Sequence, residues 1–72
     1  GATRIISSED YQSVYVVDPA RRRVVVISKT GDLRQQIYVD EAKAMQDAAV
    51  TADEKGLYVL DGTRVLAVQL GE

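Results

Sequence analysis

The feature that most constrains this chain is an internal repeat. Displaced by 43 residues, Val14-Tyr15-Val16-Val17-Asp18 falls on Leu57-Tyr58-Val59-Leu60-Asp61, with the Tyr, the central Val and the closing Asp identical. Asp10 falls on Asp53 and Ser13 on Gly56. With the next turn shortened by two residues, Arg23-Val24-Val25-Val26-Ile27 falls on Arg64-Val65-Leu66-Ala67-Val68, and upstream Ile5-Ile6 falls on Ala48-Ala49. The chain has 72 residues, room for one small domain at most. A repeat over most of that length implies two copies of one supersecondary unit that bury their apolar faces by stacking.

The unit is made of strands. Eleven Val and four Ile against a single Pro give a β-branched excess that suits a pleated surface. Strands are expected at about 4–8, 13–18, 23–28 and 33–38, and again at 48–52, 57–61 and 64–70. The segment from Leu33 to Tyr38 alternates Leu33, Gln35 and Ile37 against Arg34, Gln36 and Tyr38, the pattern of an edge strand with one polar face. Turn chemistry falls between these segments. Asp61-Gly62 predicts a type I′ hairpin, which needs positive φ at both central residues. Pro19 after Asp18 presets a type I turn, Gly31-Asp32 closes the next hairpin, and Gly56 is expected to supply a left-handed position. Asp40-Glu41-Ala42-Lys43-Ala44-Met45-Gln46 departs from the pattern. It holds helix formers with Asp40 placed to cap them, but it is too short for a stable isolated helix, so one or two helical turns are expected on a long connection.

Val14 to Val17 and Val24 to Ile27 are continuous apolar runs. A hairpin with one wet face would alternate, so these runs predict sheets covered on both sides. Four short strands in about 43 residues is the size of a β-propeller blade. The residues resemble an NHL-type β-propeller repeat: apolar-Tyr-Val-x-Asp at Val14 to Asp18, Arg-apolar-x-x-apolar at Arg23 to Ile27, then Gly31-Asp32, and again at Leu57 to Asp61 and Arg64 to Val68. The fold class expected is all-β, two consecutive antiparallel propeller blades. Residues 1–38 form the first blade with strands A to D, 39–47 a connection with the short helical turn, and 48–72 a second blade with strands A to C and no outer strand. The chain is thus expected to be a fragment, or an oligomerising piece, of a propeller.

Composition removes several classes of chemistry. With no His and no Cys there is no imidazole base, no thiol nucleophile, no disulfide framework and no zinc ribbon. The longest apolar runs are four residues, far short of the roughly 20 that span a bilayer as a helix. Only Arg21-Arg22-Arg23 cluster in a chain of net charge −2, which argues against a nucleic-acid binder. The carboxylate pairs Glu9-Asp10, Asp40-Glu41 and Asp53-Glu54 lack the alternation and Gly of a calcium loop. No catalytic residue, cofactor or metal is expected.

Asp18 and Asp61 are expected to cap turns and meet an Arg, Arg23 and Arg64 to make structural pairs, and Tyr15 and Tyr58 to be stacked core aromatics. In a blade, the B–C and D–A loops emerge at one end. That placement brings Arg21 and Arg22 together with Asp40, Glu41 and Lys43 as a candidate interaction surface. The function expected is a non-catalytic protein-interaction or scaffold module, its partners further copies of itself or the rest of a propeller. The alternatives are an edge segment of a propeller hydrolase or lyase whose catalytic residues lie elsewhere, and a ligand-sensing segment of a bacterial receptor.

Overall fold

The computed structural model describes residues 3–70. Residues 1–2 and 71–72, at the outer limits of the two expected units, lie outside the described residues. The fold is all-β and antiparallel: β1 (Arg4–Ile6), β2 (Ser13–Asp18), β3 (Arg23–Ser28), β4 (Leu33–Tyr38), β5 (Met45–Val50), β6 (Gly56–Asp61) and β7 (Arg64–Gln69). They form a four-stranded sheet in the order β1-β2-β3-β4 and a three-stranded sheet in the order β5-β6-β7. Both sheets are open, and within each sheet every strand pairs with its neighbour in sequence.

The sequence repeat is also a repeat of pairing. Val14 lies opposite Ile27, Tyr15 opposite Val26, Val17 opposite Val24 and Asp18 opposite Arg23. Leu57 lies opposite Val68, Tyr58 opposite Ala67, Leu60 opposite Val65 and Asp61 opposite Arg64. On the other side of the central strand, Ile5–Val16 and Ile6–Tyr15 correspond to Ala48–Val59 and Ala49–Tyr58. Each paired residue of β1 to β3 thus has its counterpart at the same place in β5 to β7, while β4 has none.

The faces used differ. The first sheet turns Tyr15, Val17, Val24 and Val26 into the core, and the second turns Ala48, Leu57 and Val59, with Met45 beside them. Tyr15 and Val17 lie on one face of their strand, while Leu57 and Val59 correspond to Val14 and Val16 on the other. The counterparts of the first sheet's core residues are therefore exposed: Tyr58 is 50% accessible, Leu60 38% and Val65 63%. The two units pack front to back, and the single core lies between them. The expectation that the apolar runs are covered on both sides fails within this chain, where Val14, Val16, Val25 and Ile27 are only half-buried.

Several local expectations are corrected. Asp40 to Gln46 forms no helix: a turn leads into β5, which begins at Met45. The segment is too short to nucleate a helix. Burial of Val39, Ala42 and Met45, with Met45 paired to Asp61, draws it instead onto the second sheet. Asp40 caps nothing helical, and the connection shrinks to residues 39–44. The one helical element described is the 3₁₀ turn Pro19–Arg21, ended by Arg22 at φ 54°, ψ 48°. The β6–β7 hairpin has Gly62-Thr63 at its centre, and only Gly62 has positive φ, +62°. That is the φ pattern of a type II′ turn, not the type I′ turn expected. Gly56 does not supply the left-handed position; Glu54 does, at φ +60°. Gly56 is instead required by close approach, since a Cβ there would sit 3.0 Å from Thr51 Cγ2. Tyr15 is a core aromatic, edge-on to Tyr11 with centroids 6.0 Å apart, but Tyr58 is not. Strand β4 is an edge strand as expected. A register shift between Val26 and Ile27 breaks its alternation and leaves Leu33 exposed.

Candidate functional site

Three polar constellations stand out, two at one end of the sheets and one between them. The first repeats in both units. Asp18 is 6% accessible, and its Oδ2 accepts from Arg23 Nε at 3.0 Å and from Arg21 Nη1 at 3.3 Å. Asp61, equally buried, pairs with Arg64 and also accepts from the Ala44 N–H at 2.8 Å. The bond from Arg23 holds the Asp18 carboxyl below the usual carboxylate range, and that from Arg64 does the same for Asp61. Both aspartates meet the Arg expected of them. Arg23 lies directly across the hairpin from Asp18, and Arg64 from Asp61, so pairing register alone brings each pair together. Asp18 makes no bond to the N–H groups of its own turn, so capping is not part of its role.

The same end carries the residues expected to form an interaction surface. Arg21, Asp40, Glu41 and Lys43 are exposed and Arg22 is half-buried. Backbone bonds fix the three connections against each other: Val39 N–H donates to the Arg22 carbonyl at 2.8 Å, and Gly62 N–H to the Ala44 carbonyl at 3.0 Å. Arg22 Nη1 donates to the Asp40 carbonyl at 3.4 Å, and Arg64 Nη2 to that of Glu41 at 3.5 Å. The carboxylates of Asp40 and Glu41 are left to solvent in this arrangement, because both arginines take backbone oxygens. Buried Val39 and Ala42 anchor the connection beneath them.

The third constellation is one the sequence reading passed over. Glu54, seen there only as half of a carboxylate pair, joins the two sheets. Its Oε2 accepts from Gln12 N–H at 2.8 Å, and its Oε1 from the Tyr15 hydroxyl at 2.9 Å and Ser13 N–H at 3.3 Å. Burial pushes the Glu54 carboxyl up, but the bonds from Gln12, Tyr15 and Ser13 outweigh it and hold the group below its ordinary value. Desolvation, reinforced by the Glu54 charge, pushes the Tyr15 phenol from 10.0 to about 12. The signal was in the turn. Thr51 Oγ1 donates to Asp53 Oδ1, which accepts from Lys55 N–H, and Thr51 Oγ1 also accepts from Gly56 N–H. A Thr-x-Asp-x-x-Gly spacing is what such a side-chain-closed turn needs, and it forces Glu54 into the left-handed region.

Beside Glu54 an open cleft of about 600 Å³ runs between the sheets, lined by Gln12, Ser13, Tyr15, Arg34, Asp53 and Lys55 among others. On the first sheet's side of it, Arg34 Nη1 donates to Ser13 Oγ at 2.8 Å. Among the described residues no cluster of three acidic side chains is placed to hold a metal ion, and no helix is long and apolar enough to cross a membrane. Set against known protein families, curated proteins and solved structures, the chain finds no match.

Proposed function

We propose that the chain is a pair of consecutive blade-type units of the NHL kind and works as a non-catalytic interaction or scaffold module within a β-propeller architecture. One observation carries this reading: the two sheets share strand order, pairing register and the Asp–Arg clamp, and they pack front to back. Front-to-back stacking of a repeated sheet is what a radial array requires. The recognition surface is the end bearing Arg21, Arg22, Asp40, Glu41 and Lys43, where exposed charges ride on a base fixed by backbone bonds.

A photo-crosslinking residue at Lys43, compared with one at Lys29 on the opposite end, tests this surface in the source cell. Discrete protein adducts from position 43, lost when Asp40 and Glu41 are changed to Lys, are expected. Equal labelling from both ends would overturn it.

A second reading, a ligand-sensing segment, is favoured by the cleft, whose Arg34, Lys55, Asp53 and Glu54 would suit a small polyhydroxyl or zwitterionic ligand. Amide shifts at Gln12 and Lys55 on titration with monosaccharides would support it, and an unchanged spectrum would remove it.

A further inference from the structure

We infer that a second copy of this chain stacks head to tail on the first, the outer face of β5–β7 of one copy covering the outer face of β1–β4 of the next. The inference rests on the proposal that the two sheets are successive copies of one unit. Residues outside the internal interface supply both of the surfaces needed.

The internal interface sets the pattern. One surface of it is the Tyr15, Val17, Val24 and Val26 face of the first sheet, and the other is the Ala48, Leu57 and Val59 face of the second. Position by position, the exposed Tyr58, Leu60, Val65 and Ala67 are a second version of the first surface. Ile5, Val14, Val16, Val25 and Ile27 are a second version of the other, with Ile5 65% accessible. A molecule that presents both halves of an interface it already makes, on opposite sides, is complementary to itself by translation rather than by two-fold rotation. Contacts of that kind are heterologous and build rings or chains. Apolar faces left bare in this way mark interfaces.

Charge follows the same rule. The internal interface carries an ion pair between Arg4 Nε and Asp47 Oδ1 at 2.9 Å, and both side chains stay about half exposed, 54% and 43%. Arg4 and Asp47 occupy equivalent positions in the two units. In the stacked pair Asp47 of one copy takes the position of Arg4, and Arg4 of the next takes that of Asp47, so opposite charges meet again. The Glu54 junction does not repeat, because its counterpart in the first unit is Tyr11. Contact between copies is accordingly weaker than the internal one and depends on concentration.

Light scattering on the full chain from about 10 µM to 1 mM, with two charge variants, tests this. Ile5→Glu spoils only the β1–β4 outer face, and Val65→Glu, at a site 63% accessible, only the β5–β7 outer face. The wild type is expected to rise above 7.9 kDa with concentration. Each variant alone should stay a monomer, because the contact needs one intact face of each kind and every molecule in the sample lacks the same one. Mixed in equal amounts, the two should form a species of twice the chain mass, since one intact interface remains between them. A mass fixed at 7.9 kDa throughout would overturn the inference. So would association in which Val65→Glu alone abolishes assembly and the mixture fails to complement, the mark of a two-fold pair. Circular dichroism of each sample separates these results from loss of the fold. A monomer with an intact β spectrum refutes the stacking and leaves the two-unit reading standing, whereas a spectrum without β structure refutes both.

Discussion

Replacing Glu54 by Ala should cost far more than its partial exposure suggests. The residue accepts three hydrogen bonds, and all three cross from the second sheet to the first. Bonds to a charged acceptor contribute about 1.5–3 kcal/mol each when buried. Gln12 is exposed, so water replaces its bond at small cost. Ser13 N–H bonds at 3.3 Å, a long contact. The Tyr15 hydroxyl belongs to a residue 2% accessible, so its bond keeps most of its worth, about 1–2 kcal/mol. The sum is about 2 kcal/mol, a fall in Tm on the order of 8–16 °C for a chain of this size. Glu54→Gln, which keeps a neutral acceptor, should lose about half as much. Glu54→Gly should lose about 1 kcal/mol less than Glu54→Ala, because glycine relieves the left-handed backbone. A double-mutant cycle with Tyr15→Phe, read by urea denaturation, isolates the pair term, expected at about 1 kcal/mol. A Glu54→Ala loss below about 0.5 kcal/mol, or no coupling to Tyr15, would refute the view that this carboxylate joins the sheets.

Leu57→Ala removes a side chain 1% accessible at the centre of the core and should cost about 2–5 kcal/mol, enough to unfold much of the population at room temperature by circular dichroism. Gly62→Val should cost about 1–3 kcal/mol in thermal melts: a Cβ there has room, 3.8 Å from that of Ala44, so the loss comes from φ +62° alone. Stability should also fall at alkaline pH. The Tyr15 pKa is raised in the fold, so its contribution is complete below pH 10 and drains away as pH climbs from 10 to about 12, a loss of about 2–3 kcal/mol that Tyr15→Phe should abolish in urea titrations. On the acid side Asp18, Asp53, Glu54 and Asp61 are all lowered, so stability present above the ordinary carboxylate range should fall as pH drops through their folded values.

Much of the fold was legible because its signals are local. The runs Val14 to Val17 and Leu57 to Leu60, with the turn residues between them, fixed strand order, and the 43-residue displacement carried that order from one unit to the other. The Asp18–Arg23 and Asp61–Arg64 pairs could be expected because hairpin register alone brings them together. What escaped depends on the partner across the core. Met45 and Ala42 read as helix formers until the second sheet claims them, since helix propensity in so short a segment yields to packing. Which face of each sheet is buried could not be read from runs apolar on both sides, so Tyr58 looked like Tyr15. Glu54 escaped because its role depends on a backbone conformation that Thr51 and Asp53 impose and on three donors about forty residues away.

The sequential order of the strands bears on how the chain reaches its fold. Every hairpin closes over a loop of six residues or fewer, so each sheet can zip up from local contacts, and chains of that kind fold fast. Docking of the sheets alone requires long-range encounter, and it draws on the core side chains, the Arg4–Asp47 pair, the Tyr11 hydroxyl on the Val50 carbonyl, and Glu54. Cooperativity in a linear array resides in the junction between neighbours rather than within each unit. Weakening Glu54 should therefore speed unfolding while leaving the folding rate nearly unchanged, if the hairpins form first and the sheets dock late. Glu54, together with the core side chains, thus sets how tightly the melting of one sheet is tied to that of the other.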